Sequence, residues 1–296
     1  MNCVNKLSAS VASIVLLMGF SGAVNAGDWQ PLLDAELSQW GTYLGYPNPE
    51  TDVSNIKQAA DGEYLEPVGY DRDEWNVFSV SNATGEPVLR ISGEIYGGLF
   101  TRQEYANYHL RLQVKWGSKK WPPREQLPLD SGVLYHGNGP HGVDYWRAWP
   151  LSQEFQIVEQ GVEGLTGDWW KIADSQITIR CALDKQTEQR KYQRNAPLTT
   201  FGGQQGAITC GASHNNEKPS GQWNTLDLIT LGDKSLHIVN GEVVMALSDS
   251  SYSSSEGVKP LTRGQIVLQS EAGEVFYRRI QWQPIKQIPE QYRSYF

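Results

Sequence analysis

Cysteine and methionine are scarce in this 296-residue sequence, with three of each. It has no Cys-x-x-Cys pair and no Cys/His cluster at zinc-ligand spacing, which excludes the common structural zinc modules and dithiol redox motifs. Nor is there a block of lysine and arginine: 33 acidic side chains outnumber 25 basic ones, for a net charge of -8. That balance argues against a nucleic-acid partner, because such surfaces bind mainly by neutralising phosphates. No apolar run reaches the roughly 20 residues a membrane-spanning helix needs, so no membrane span is expected. Long amphipathic helices and internal repeats are missing as well. Only Pro31–Trp40 and Asn55–Ala60 carry even a weak helical pattern.

Aromatic residues and glycine are plentiful, with 11 Trp, 14 Tyr and 29 Gly. Indole faces stack on sugar rings as well as filling cores, so the tryptophan excess points toward carbohydrate. Residues 1–26 read as a secretory signal. Lys6 is the basic start, Val11–Phe20 the apolar stretch, and Val24-Asn25-Ala26 the small-residue cleavage site. This predicts a secreted or periplasmic protein whose working part, residues 27–296, is one domain. Cys181 and Cys210 would remain after cleavage. In an oxidising compartment they are either one disulfide or two separately buried thiols.

Strand patterns dominate from residue 88 onward. Tyr108–Trp116 alternates apolar even positions with polar odd ones, the period of a half-buried strand. Shorter runs follow at Gly132–His136, Glu154–Val158, Ser175–Leu183, Trp223–Leu231, Ser235–Val239, Glu242–Leu247, Gly264–Glu271 and Glu274–Trp282. Asn240-Gly241 between two of these is a hairpin dipeptide, because both residues tolerate positive φ. The three prolines in 117–130 predict a loop at a sheet end, and Ser248–Ser255 a serine-rich loop. Many short strands without alternating helices predict an all-β antiparallel sandwich.

The chemically dense stretch runs from Asp130 to Ala173. In the strand around Glu154-Phe155-Gln156-Ile157, Phe155 and Ile157 face one side while Glu154 and Gln156 face the other. Trp146, Trp149, Trp169 and Trp170 lie close by in sequence, which favours a lined cleft over a solvated outer face. The pattern Glu154-x-Gln156-x-x-Glu159 nearly matches the catalytic strand of laminarinase- and lichenase-type glycoside hydrolases. Those enzymes carry Glu-x-Asp-x-(x)-Glu and need carboxyls about 5–5.5 Å apart for retaining hydrolysis. Gln156 in the middle place argues against direct hydrolysis of that kind, and Glu159 reaches the face of Glu154 only through a β-bulge.

A broader resemblance covers nearly all of residues 27–296. It rests on Tyr105-Ala106-Asn107-Tyr108, Asp130-Ser131-Gly132-Val133-Leu134-Tyr135-His136, Glu154-Phe155-Gln156-Ile157 and Gly167-Asp168-Trp169-Trp170. Trp223-Asn224, Val239-Asn240-Gly241, Gly264–Glu271 and Phe276-Tyr277-Arg278-Arg279-Ile280 complete the ordered set. The sequence resembles the 3-keto-disaccharide hydrolase family. The resemblance implies a concanavalin A-like jelly-roll β-sandwich of two antiparallel sheets. It also implies a glycoside substrate already oxidised to a ketone at carbon 3 by an upstream oxidoreductase. Such a ketone acidifies the proton on carbon 2, so a base-catalysed elimination can release the aglycone, and hydration follows.

On that chemistry Glu154, His136 and Glu271 are the catalytic candidates. Glu271 shares strand parity with Val267 and Gln269. Gln156, Lys115, Trp169 and Asp168 are the substrate-binding candidates, with Lys115 placed to polarise the ketone. A divalent metal held by Glu154 and His136 is a possible cofactor for stabilising the enolate. His141 is a loop candidate, and His109, His214 and His237 read as structural or merely exposed. Two alternatives stay open: a non-catalytic lectin-like sandwich, and direct hydrolysis of an unoxidised β-glucan.

Overall fold

The computed structural model describes residues 27–83, 85–160, 164–185, 188–204 and 206–296. The expected signal segment, residues 1–26, lies outside the described residues. Among the described residues, twenty strands form two antiparallel sheets of twelve and eight strands, and one short 3-10 helix, Glu290–Tyr295, ends the chain. The jelly-roll sandwich expected from the sequence is present. No helix among the described residues is long and apolar enough to cross a membrane.

Alternation along Tyr108–Lys120 explains how the layers meet. Leu110, Leu112 and Val114 are buried in the main core, while Arg111, Gln113 and Lys115 point away from it. From the opposite sheet, Val133, Tyr135, Phe155, Ile157 and Leu268 pack into the same core. Tyr108–Lys120 pairs with both Asn224–Leu231 and Gly273–Pro284, which places it at the centre of the larger sheet. The hairpin at Asn240-Gly241 forms as expected, with φ of 48° and 89°. Val239 then pairs with Glu242 directly across the turn.

Two local expectations were overturned and a third, the 117–130 loop, was narrowed to residues 121–129. Pro31–Trp40 and Asn55–Ala60 contain no helix. Leu32, Leu33 and Trp40 instead bury individually against the core, and the Trp40 indole donates to the Leu32 carbonyl at 2.7 Å. Residues 248–254 extend the strand Glu242–Ser254, whose far end pairs with Gly257–Pro260. The strand that begins at Tyr108 continues to Lys120, into the segment expected to be loop. In the last two cases cross-strand pairing supplied what local composition did not.

Cys181 and Cys210 form a disulfide, with Cα atoms 6.6 Å apart. It ties Ser175–Leu183 of the larger sheet to Thr209–Cys210 at the edge of the smaller one. A crosslink closing a loop of 29 residues stabilises by about 3.5 kcal/mol in the chain-entropy picture. The Cys181→Ala/Cys210→Ala double variant is therefore expected to lose about that much unfolding free energy in a urea titration. A loss below about 1 kcal/mol would contradict this account.

The smaller sheet runs in the order Thr209–Cys210, Trp169–Ile172, Leu151–Val158, Asp130–Asn138, Gln265–Ser270, Gly97–Thr101, Trp40–Leu44, Gly69–Tyr70. Its far face is only partly covered. A satellite cluster there joins Tyr43, Phe100, Leu134, Ala148, Trp149, Ile172 and Val267. Beside this cluster the face is left open as a cleft.

Candidate active site

The cleft encloses about 790 Å³. Period-two alternation decides which side chains reach it. In Leu151–Val158, Glu154, Gln156 and Val158 line the cleft, while Phe155 and Ile157 fill the core. The parity read from the sequence holds. Asp130, at the start of the adjacent strand, and Glu271, just past the end of Gln265–Ser270, also line it. Asp130 and Glu271 face each other through an isolated antiparallel bridge. Three carboxyls from three neighbouring strands therefore converge.

Gly132 makes that convergence possible. It lies on the strand between those of Glu154 and Gln269, where it pairs with Gln156 on one side and its neighbour Val133 pairs with Leu268 on the other. A Cβ at Gly132 would sit 2.1 Å from Gln269 Oε1 and 2.9 Å from Glu154 Oε1. The missing methyl is the space those two side chains occupy.

Burial and like charge govern the proton affinity of these groups. Glu154 is buried, which pushes its carboxyl well above the usual range. Asp130, Asp144 and Asp168 add repulsion, and the neighbouring Gln269 amide works in the opposite sense. Glu271 is raised for the same reasons, by burial first and then by Asp130 and Glu154, with Arg124 opposing. Arg124 Nη2 lies 2.9 Å from Asp130 Oδ2, so the guanidinium pairs with one carboxyl of the three. Glu154 and Glu271 thus both hold their protons more tightly than exposed carboxyls do, beside the ion pair of Arg124 and Asp130, an environment suited to acid/base work.

Other candidates lie elsewhere. His136 is not in the cleft. The ladder slips between Tyr135 and Asn138, and His136 takes φ 58°. This turns its ring into the core against Tyr108 and Tyr135. Burial drives its pKa down to about 3, so the imidazole stays neutral. The pair Glu154 and His136 does not come together as metal ligands. Among the described residues, no group of three or more His, Cys, Asp and Glu is arranged to hold a metal ion.

Lys115 sits on the outer face of the larger sheet, its Nζ 5.1 Å from the Trp223 ring and 5.4 Å from the Phe276 ring. Outward parity on a central strand of the wrong sheet removes it from the site. Lys115→Ala is accordingly expected to leave turnover within twofold of the native protein, and a tenfold loss would show that the cleft has been misplaced.

Trp169 is fully buried among Ile177, Ile179 and Phe201, with its indole donating to Gln153 Oε1 at 2.7 Å. Its neighbour Trp170 takes the opposite parity and lines the cleft. Asp168 is a turn-organising carboxylate outside the lining. It accepts the Ala212 amide at 2.6 Å and the Leu165 amide at 3.0 Å, and burial pushes its pKa up to about 6. Glu159 also stays outside, 3.2 Å from the Ser220 hydroxyl and 3.7 Å from Lys120 Nζ. The glutamate that lines the cleft with Glu154 is thus Glu271, beyond the strand Gln265–Ser270, and not the second glutamate of its own strand. His141 packs against Tyr43 and Phe100.

Sequence reasoning missed Asp130, Arg124 and Asp144 as site residues, whereas Trp146 lines the cleft as its tryptophan cluster suggested. Asp130 shares parity with Gly132, which was a usable signal. Arg124 comes from the proline-rich 117–130 segment, where function was expected only in general terms. Asp144 shapes the loop above the cleft by accepting the amides of Ala148 at 2.8 Å and Trp149 at 2.7 Å on Oδ1. Its Oδ2 accepts that of Trp146 at 2.8 Å.

The model of the 3-keto-alpha-glucoside-1,2-lyase-like domain matches residues 28–283. The chain belongs to that family. The match runs from the first described strand into Gly273–Pro284 and includes every carboxyl of the cleft. No curated protein relative matches the chain. Among solved structures, it is similar to a Parabacteroides distasonis protein provisionally described as a glycosyl hydrolase. Identity is 18%, with 88% of this chain and 100% of that one covered, at a TM-score of 0.47. It is also similar to a Bacillus licheniformis β-glucanase, at 11% identity over 89% of this chain and 100% of that one, TM-score 0.42. A Bacillus subtilis carbohydrate-binding module of family 66 shares 7% identity over 70% of this chain and 91% of that one, TM-score 0.38.

Proposed function

We propose that the protein cleaves 3-keto-glycosides by elimination, with Glu154 and Glu271 as the acid/base pair. The observation that carries this reading is the convergence of two buried carboxyls of raised proton affinity in one aromatic-lined cleft. In its ionised form Glu154 takes the proton from carbon 2. The electron pair moves toward the carbon-3 oxygen as an enolate and then expels the oxygen on carbon 1, which receives a proton from Glu271. Water then adds across the carbon 1–carbon 2 double bond, hydroxyl to carbon 1 and hydrogen to carbon 2, and yields the free 3-keto sugar.

Arg124 supplies positive charge on the cleft lining for the developing enolate. Gln156 Oε1 is taken by the Ile157 amide at 3.1 Å, which leaves its Nε2 to donate to a sugar hydroxyl. No step requires a carboxylate nucleophile, which accounts for Gln156 where the retaining hydrolases carry aspartate. The ketone must come from an oxidoreductase that shares the compartment. The signal-like pattern of residues 1–26 supports a compartment outside the cytoplasm.

The deciding experiment is incubation with a 3-keto-glucoside and with its unoxidised parent, each with and without chelator. Release of aglycone from the keto form alone is expected. Release from the parent would instead establish ordinary hydrolysis, and tight sugar binding with no release would establish a lectin. Loss of activity on chelation would add a metal to the mechanism.

A further inference from the structure

The cleft is divided chemically. Its acid end holds Asp130, Arg124, Glu154 and Glu271, while the mouth is apolar. Four side chains of the mouth are large hydrophobes open to solvent: Val143 at 47%, Tyr145 at 86%, Trp146 at 51% and Ile208 at 56% exposure. They come from two separate segments on opposite sides of Trp170 in the chain, so the feature is not one stray residue. Apolar surface left in water costs about 25 cal/mol per Å² relative to burial. A concave, aromatic lining with few polar groups is the usual form of a small-molecule site.

The charged groups near this mouth are mostly committed elsewhere, and the buried Trp170 indole N–H is an uncommitted donor of the lining. Asp144 spends both carboxylate oxygens on the amides of its own loop. Lys171 Nζ donates to the Gly203 carbonyl. Asp174 remains as the exposed charge of the rim. A second sugar seated here would bring several hydroxyls to few free partners, chiefly Asp174 and the Trp170 indole, and each unmet group is costly. A flat apolar group meets no such penalty. Trp146 is ready to receive one, braced by Tyr145 at 4.9 Å and by Tyr96 at 6.0 Å between ring centroids.

Building on the elimination reading above, we infer that the leaving-group side of the cleft selects an aromatic aglycone rather than a second sugar. The substrate class is the 3-keto-glycoside of a phenyl-bearing alcohol or phenol, stacked on Trp146. Expulsion releases that alcohol after its oxygen takes one proton, so no additional reactant is needed.

The test compares the 3-keto forms of 2-phenylethyl glucoside and of a glucosyl-glucose disaccharide, on the native protein and on Trp146→Ala. Phenylethanol is the poorer leaving group of the two, so a preference for it reports recognition and not intrinsic reactivity. The native protein is expected to favour the phenylethyl substrate at least tenfold in kcat/KM. Trp146→Ala is expected to lose about tenfold on that substrate and less than twofold on the disaccharide. Preference for the disaccharide, or equal loss on both, overturns the inference.

If neither keto substrate is cleaved, the elimination reading fails, and the inference is still decided by fluorescence titration with the two unoxidised glucosides. Tighter binding of the phenylethyl compound that weakens in Trp146→Ala supports it; equal binding refutes it. A sedimentation shift in the native protein that disappears in Trp146→Ala, together with equal binding, would assign the rim to self-association instead.

Discussion

Glu154→Gln is expected to lower the rate on a 3-keto-glycoside by about 10²–10⁴-fold, the usual contribution of a positioned acid or base. The same substitution is expected to make the protein more stable in mildly alkaline solution. The two effects share one cause. Burial and the nearby acidic groups hold the Glu154 carboxyl well above its ordinary range. An unfolded chain ionises glutamate near pH 4.3, at about its model-peptide value. Between that pH and the raised folded value, the folded state binds more protons than the unfolded state. Stability contributed by this group is therefore present at low pH and lost as pH rises through the window.

The amide has the same shape and no proton to lose. The stability of Glu154→Gln relative to the native protein should accordingly grow with pH above about 4.3, by up to about 1.4 kcal/mol per pH unit. Melting temperatures between pH 5 and pH 9 measure this directly. Glu271→Gln is expected to behave alike, because its carboxyl is raised by burial and by repulsion from Asp130 and Glu154. Parallel melting curves for variant and native protein across that range would refute the electrostatic account. Near-normal turnover by Glu154→Gln would refute the site itself.

Gly132→Ala should damage the site although it removes no functional group. Its φ is not in the left-handed region, so backbone strain is not the issue. The new methyl would meet the Gln269 side chain at 2.1 Å and Glu154 at 2.9 Å. Gln269 is 1% exposed, so it has little room to withdraw. Relief must come from displacement of Gln269 and of the Glu154 carboxyl, and a misplacement of about 1 Å can cost 10²-fold in rate. We expect kcat/KM to fall by about 10²-fold, with an overpacking penalty of about 1–3 kcal/mol in stability. Gly132→Ala combined with Gln269→Ala, which vacates the contested space, should recover part of the stability. A Gly132→Ala protein of native activity would show that the Glu154 position tolerates movement.

Much of the fold was legible because period-two alternation reports burial directly. Tyr108–Trp116 and Ser175–Leu183 appear as strands where the pattern places them. The Asn240-Gly241 turn forms because only a few residues tolerate two successive positive φ values. The same rule put Glu154 and Gln156 on one face, and Glu271 on the face of Val267, and both pairs of neighbours line the open side of the smaller sheet. It failed at His136, where a register slip reversed the expected side. A bulge leaves no mark in hydrophobic alternation, because it depends on how two distant strands are paired.

By itself, then, the sequence determined the all-β class, most strand positions, the facing of Glu154, Gln156 and Glu271, and the family to which the chain belongs. Alternation and turn chemistry are local properties and are written in consecutive residues. Only the tertiary structure decided that Cys181 bonds Cys210, that Lys115 belongs to the remote sheet, and that Trp170 rather than Trp169 meets the cleft. It alone brought Arg124, Asp130 and Glu271 to Glu154. Those residues lie from 24 to 117 positions from Glu154 in the chain numbering, and which strands become neighbours is settled by how two sheets bury a shared core.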